Sequence, residues 1–308
     1  MTRPVDEDEV LERIRGIVGN GIEAFGLRDD AAMLDLSGGR PLLASVDSVV
    51  EGVHVDLSLC SPGDVGWKAL MGALSDLAAM GAEPLAALVA LCVPGGTGEG
   101  ELALGVMEGM AEASALAGCP VVGGDVSGSG VLVVAVTVLG TVEDGGVPVP
   151  RSGARPDDML LLTGPCGGSA AGLRALRTGT GPGAAYRRPL ARLREGQIAR
   201  LHGAHAMIDV SDGLSLDLHR LADASGVGFR LDEVPMAAGA TEDEALGGGE
   251  DYELLIAVDP ADADAFGDRC VAQGLRRPIE TGTVVENVSA RTLHERPLER
   301  MGWQHRVG

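Results

Sequence analysis

The chain's 308 residues include 45 Asp and Glu against 24 Lys and Arg, a formal net charge of −21, with 45% hydrophobic but only 2% aromatic residues. That length fills two domains with cores of Ala, Val, Leu and Met, and the acidic balance argues against a nucleic-acid partner, whose phosphates call for clustered Lys and Arg. Lys68 is the only lysine, which excludes a GxxxxGK[ST] phosphate loop and a kinase built on a strand lysine, so any phosphate handled here must be met by metal ions and a few arginines.

The five cysteines are scattered and form no CxxC pair, which argues against a disulfide scaffold or a structural zinc site and fits a reducing, cytoplasmic compartment. The amino terminus is acidic over residues 6–9 and is no signal peptide. The longest apolar run, residues 131–139, is too short to span a bilayer, so no membrane partner is expected.

In chain order, the spacing of Val10, Leu11, Ile14, Ile17 and Val18 predicts an amphipathic helix over residues 6–18. Asp29 and Asp30 then feed a strand-like segment ending at Leu34; adjacent strand residues face opposite ways, so at most one acid serves a given site, and a solvated turn fits equally well. Residues 42–47 form a buried run ending on Asp47, with His54 close enough to share a cleft. Ser61 and Pro62 open a helix reaching Met80, with Trp67, Leu70, Met71, Leu74 and Leu77 inward. Asp76 lies off that stripe above Ala73 and Gly72, which fits either a gap for a ligand or close helix packing with an arginine partner.

A second helix covers residues 101–117. Residues 121–125 then give a short strand, two glycines and Asp125, a pattern that lets main chain approach phosphate oxygens and that also suits a hairpin turn before the strand at 131–139. Residues 143–158, with three prolines, form the best domain connection, dividing the chain into 1–150 and 151–308. Beyond it come a strand at 159–163, a glycine-rich loop, a helix at 170–177 and a basic loop at 186–189.

Residues 206–213 change character midway, from a buried strand to a turn holding Asp209, Ser211, Asp212 and Gly213, followed by a helix with Leu214, Leu218 and Leu221 on one face. Open α/β sheets keep ligands at the carboxyl ends of their strands, and two acids this close resist ionisation unless a cation lies between them; simple helix capping is the plainer account of the turn. Residues 247–252 place glycines, Glu250 and Asp251 before a strand at 253–258, then a helix at 261–272 and a strand at 283–285. Trp303 in a polar tail suggests docking on a ligand or partner. Carboxylates at element edges without accompanying His or Cys sets indicate Mg²⁺ shared with substrate phosphates.

These strings resemble the thiamine-monophosphate kinases, of the superfamily that includes aminoimidazole ribonucleotide synthetase. The carriers are Asp29-Asp30-Ala31, Ser45-Val46-Asp47, Gly52-Val53-His54, residues 74–82, Val122-Gly123-Gly124-Asp125, Arg151-Ser152-Gly153-Ala154, residues 207–213 and residues 248–254. The resemblance implies two α/β domains, the first forming the sheet of a homodimer, and transfer of the γ-phosphoryl group of ATP to thiamine monophosphate with Mg²⁺. It would make Asp30, Ser45, Asp47, Asp76, Asp125, Asp209 and Asp212 metal ligands, with Asp47, Asp125 and Asp212 at the chemistry. Gly124, Asp125, Arg151 and Ser211 would touch ATP, while His54, Glu250 and Trp303 would hold the acceptor. Val46 in place of a threonine, Arg28 in place of a glycine, and Val126-Ser127 in place of two threonines depart from the family pattern. The rival readings are another ATP-dependent synthetase of the superfamily and a non-catalytic acidic protein that binds divalent cations.

Overall fold

The computed structural model describes residues 5–6, 29–34, 40–96, 99–142, 146–304 and 306–307. The helix expected at residues 6–18 and the departure at Arg28 lie outside them, apart from Asp6. That residue belongs to strand β1 (Val5–Asp6), which pairs antiparallel with the last strand, Arg306–Val307.

The first half then runs β2 (Ala32–Leu34), β3 (Leu42–Val50), α1 (Pro62–Ala79), β4 (Glu83–Pro94), α2 (Glu99–Ala117), β5 (Val121–Ser129) and β6 (Val133–Thr141). Its five-stranded sheet has the order β2-β3-β6-β4-β5, antiparallel except for β4 beside β5. Alternation along β6 buries Val134, Val136 and Val138 under the helices, while the residues between them face outward, as period-2 side-chain geometry requires. That outer face is open: Val46 is 65% and Leu88 41% exposed.

Helix α1 starts as its sequence predicts. The Ser61 hydroxyl accepts the Asp64 N–H at 3.2 Å and the Asp64 carboxylate accepts the Ser61 N–H at 3.0 Å, a reciprocal cap worth about 1 kcal/mol. Gly81, at φ +65°, ends it. The two helices touch main chain to main chain, since a Cβ on Gly66 would lie 1.8 Å from the Val106 carbonyl oxygen. Any larger residue there would force α1 and α2 apart.

The second half contains β7 (Met159–Leu162), α3 (Gly168–Thr178), α4 (Ala184–Arg187), α5 (Leu193–Leu201), β8 (Ala206–Asp209), α6 (Leu214–Ser225), β9 (Gly228–Leu231), α7 (Glu242–Gly247), β10 (Leu254–Val258), α8 (Pro260–Ala272), β11 (Ile279–Val285), β12 (Arg291–Leu293) and β13 (Arg296–Pro297). The closing strand Arg306–Val307 is β14. The seven-stranded sheet of this half has the order β13-β12-β9-β11-β7-β10-β8, with only β12 and β9 parallel. Leu161, Met207 and Ile256 on one face join the core of α1 and the first sheet, while Leu160, Ile208 and Leu255 on the other pack with Leu214, Leu218 and Leu221 of α6. The halves therefore share a continuous apolar seam.

Several expectations change in this frame. The strand ending at Asp209 is an edge strand paired antiparallel with β10, so Asp209 does not sit at the mouth of a parallel sheet; it reaches its neighbours because β8 lies against α1. Asp47 stands inside β3 rather than at its end, and Gly123, Gly124 and Asp125 are part of β5 rather than a turn. The basic loop begins inside the single turn of α4. Strand β4 was not distinguishable in advance, because a continuous apolar run carries no period to separate a strand from a buried helix. Among the described residues no helix is long and apolar enough to cross a membrane, and all five cysteines are free.

Candidate active site

Between the two halves lies a cavity of about 1080 Å³, lined among others by Asp47, His54, Asp76, Asp209, Ser211, Asp212, Glu250 and Trp303. Residues from seven separate stretches of the chain meet there. On its acidic side, carboxylate oxygens of Asp30, Asp76 and Asp209 all lie within 4.8 Å of one another. Asp76 comes from α1, Asp209 from the end of β8 and Asp30 from the bend before β2.

Each acid is held by a donor from outside the cluster. Ser45 on β3 donates its hydroxyl to Asp76, and Ser75 on α1 donates to Asp209 at 2.6 Å. The Arg151 guanidinium reaches Asp30 at 2.8 Å while its main-chain N–H meets Asp29 at 2.5 Å. Asp29 and Asp30 thus share one arginine, from a bend in which both side chains can turn the same way. Burial, aided by the neighbouring carboxylates, raises the pKa of Asp76 well above the ordinary value; burial and Asp30 do the same for Asp209. The second oxygen of Asp30 is buried without a hydrogen-bond partner. A buried acceptor with no donor, facing two more desolvated carboxylates, is a costly arrangement for protein alone and one that a hard divalent cation fits.

Asp47 approaches the same space from β3, with one oxygen accepting the Ser48 N–H at 2.7 Å. Gly72 lines the cavity as the sequence suggested, and a Cβ there would lie 3.1 Å from both Asp47 Oδ2 and Tyr252 Oη. The other bare position, Ala73, is core. Asp212 lines the cavity and pairs with Arg220, whose guanidinium also meets Asp217 at 2.9 Å. Asp217 accepts the main-chain N–H groups of Asp212 and Gly213 at 3.0 and 3.1 Å, fixing the turn; burial pushes its pKa up to about 7.

The opposite wall is built on two loops. After β3, Gly52 turns the chain at φ +82° and His54 Nδ1 accepts the Val50 N–H at 3.1 Å. Before β10, Gly249, Glu250 and Tyr252 all have positive φ, and the Glu250 N–H bonds the Ser211 carbonyl at 2.6 Å, so the glycine-acid string clasps the Asp209–Asp212 turn. Positive φ in two non-glycine residues is strain that the surrounding contacts must hold. The Asp251 carboxylate turns away to accept the Gly167 and Ser169 N–H groups at 2.5 and 3.1 Å, at the start of α3; burial raises its pKa to about 6. The tail is tied down as well, the Trp303 N–H meeting the Asp212 carbonyl at 2.9 Å.

Two groups of expected residues stand elsewhere. Arg151 does not line the cavity; it stands behind Asp30. Gly124 and Asp125 are on the edge strand β5, three strands from Asp47, roughly 14 Å at the usual strand spacing. Register also places Asp125 beside Ala90 and Ala135, on the face opposite to Asp47. The fold of one chain does not bring Asp125 to the cluster.

Lys68, Tyr186, Asp217, Arg220 and Tyr252 were not anticipated. The signal for one of them was present: Lys68, Gly72, Ser75 and Asp76 recur at helical spacing along one stripe of α1, distinct from its leucine stripe.

Comparison with known proteins agrees with this architecture. Residues 28–142 match the family model of the AIR synthase related protein N-terminal domain, and residues 155–293 match that of the C-terminal domain. The thiamine-monophosphate kinase of Bacillus subtilis is 35% identical, over 98% of this chain and 99% of its own. The solved structure of AaThiL complexed with AMPPCP and TMP superposes with a TM-score of 0.86 at 28% identity, covering 99% of both chains. The thiamine monophosphate kinase structure from Aquifex aeolicus gives 0.80 at 27% identity, over 95% of this chain and 97% of that one.

Proposed function

Because this chain belongs to the thiamine-monophosphate kinase family, we propose that it moves the γ-phosphoryl group of ATP onto thiamine monophosphate in a Mg²⁺-dependent reaction, giving thiamine diphosphate and ADP. The observation that carries the metal dependence is the meeting of Asp30, Asp76 and Asp209 beside a cavity large enough for both substrates. Those three would hold Mg²⁺, with Ser45, Asp47 and Asp212 completing the set. Bound there, Mg²⁺ supplies positive charge for phosphates in a chain that offers one lysine.

The protein's own task is placement. The acceptor is a phosphate monoester whose second pKa is about 6, already ionised near neutral pH, so no general base is needed. That suits a site whose carboxylates are tied to serines and arginines rather than poised against a histidine. His54, Glu250 and Trp303 would hold the thiamine moiety, the indole facing its cationic ring. Ser211, which lines the cavity, would contact ATP, and Arg151 would act by fixing Asp30. Excluding water from aligned phosphates then favours transfer to the acceptor over hydrolysis. The test is ADP release from ATP and Mg²⁺ with thiamine monophosphate, with thiamine, and with neither. Release only with the monophosphate is expected; equal release in all three arms contradicts the reading.

We further place a domain division near residue 150 and a homodimer formed through the open face of the first sheet. Val46 and Leu88 on that face, and Val122 and Val126 on the edge strand, are exposed at 41–70%, an apolar surface that a second copy would cover. The roles expected of Gly124 and Asp125 then depend on that second copy. Wild-type protein should sediment as a dimer at micromolar concentration and Val46→Lys as a monomer; a monomeric wild type contradicts this assembly.

A further inference from the structure

Lys68 is 1% exposed in α1 and does not line the cavity, yet its surroundings do. Its ammonium lies 2.7 Å from Glu250 Oε1, 3.2 Å from the His54 carbonyl oxygen and 3.9 Å from the centre of the Tyr186 ring. The Tyr186 hydroxyl donates to the same carbonyl at 3.0 Å. Glu250, His54 and Tyr186 all line the cavity and come from three separate segments. A carbonyl and an aromatic face hold the ammonium, and its strongest bond goes to the carboxylate.

Glu250 needs such a hold. It sits at φ +57° between two further residues of the same loop, Gly249 and Tyr252, that also have positive φ, and its main chain is fixed by Ser211. An unpaired carboxylate there would add negative charge beside a cavity that already holds Asp47, Asp76, Asp209 and Asp212 and that must admit two anionic substrates. Lys68 belongs to the first half of the chain and Glu250 to the second, so their bond also fixes the acceptor wall relative to α1, the helix that carries Asp76.

We propose that Lys68 is a positioning residue for the phosphoryl acceptor, acting through Glu250 from outside the cavity. This rests on the reading above that the acceptor is held by the His54, Glu250 and Trp303 wall. Under it, Lys68→Met raises KM for thiamine monophosphate by about tenfold or more and leaves KM for ATP within about twofold, the separation expected when only one substrate's placement is lost. Glu250→Met raises the same constant, and the double variant Lys68→Met/Glu250→Met is no worse than Glu250→Met alone, because Lys68 has no target left to position.

The experiment is steady-state ADP release with each substrate varied in turn. Dependence of wild-type turnover on thiamine monophosphate tests the functional reading by itself, and the variants then test Lys68. Equal rises in both KM values, or a fall in kcat with neither changed, would overturn the proposal. So would a double variant at least about fivefold worse than Glu250→Met. If Lys68→Met or Glu250→Met alone does not fold, Lys68→Gln takes its place, keeping a donor beside Glu250 without a charge: the same selective rise in KM for thiamine monophosphate is expected, and equal rises in both KM values would overturn the proposal.

Discussion

Asp209→Asn is expected to lower kcat by roughly 10²–10³-fold, the usual effect of removing one group that stabilises transition-state charge, while making the metal-free chain more stable rather than less. The two effects have one origin. Asp209 lies within 4.8 Å of Asp30 and Asp76 and is desolvated, so its charge costs the folded state free energy that a bound cation repays. Asparagine keeps an oxygen to accept the Ser75 hydroxyl and removes the charge. A gain of about 1 kcal/mol corresponds to roughly 1.5 °C in Tm for a chain of this size. Turnover at saturating Mg²⁺ and thermal unfolding in chelator measure the pair. A variant that is inactive and also less stable in chelator would mean that Asp209 is a structural acid.

The second large effect is a metal-dependent pH profile. Asp76 and Asp209 have raised pKa values in the folded chain against an unfolded value near 3.8. Below that value both states are protonated and nothing is gained or lost; above it the unfolded chain releases protons that the folded chain retains, so metal-free stability falls as pH rises toward neutrality. Asp217, at about 7, and Asp251, at about 6, add to the same slope. Glu244, lowered to about 2 by Arg174, and Asp64, lowered chiefly by Arg188 against its burial, work the other way: their share is present above the unfolded value and is lost progressively as pH falls below it. Saturating Mg²⁺ should remove the Asp76 and Asp209 share, so its stabilisation is largest near neutral pH, about 2.7 kcal/mol at a hundredfold excess over Kd, and vanishes toward pH 4. Unfolding curves with and without Mg²⁺ from pH 4 to 8 check this. Parallel curves would show that those carboxylates do not bind the ion.

How much of this was legible beforehand depended on the range of the signal. Helix α1 was readable because Ser61, Pro62 and Gly81 act locally, and β8 because its apolar run stops at Asp209. The acids expected to hold metal were readable as acids beside small residues, and Asp30, Asp76 and Asp209 do converge. Strand order was not readable: Asp125 has the same local pattern as the others, yet register places it on an edge strand and the opposite face from Asp47. Lys68 reads along the sequence only as the single lysine, since a buried cation is identified by partners 14 and 182 positions away in His54 and Glu250, which no window along the chain contains. Arg220 and Asp217, likewise, read as ordinary surface charges of an amphipathic helix, yet they brace the Asp212 turn.

The proposed reaction requires acids from distant segments to act together as one magnesium site. Crystals soaked with Mn²⁺ and a non-hydrolysable ATP analogue, measured at the manganese absorption edge, locate the ion directly. An anomalous peak about 2.0–2.3 Å from oxygens of Asp30, Asp76 and Asp209 is the predicted result; a bound nucleotide with its metal elsewhere and those three carboxylates bare would contradict it.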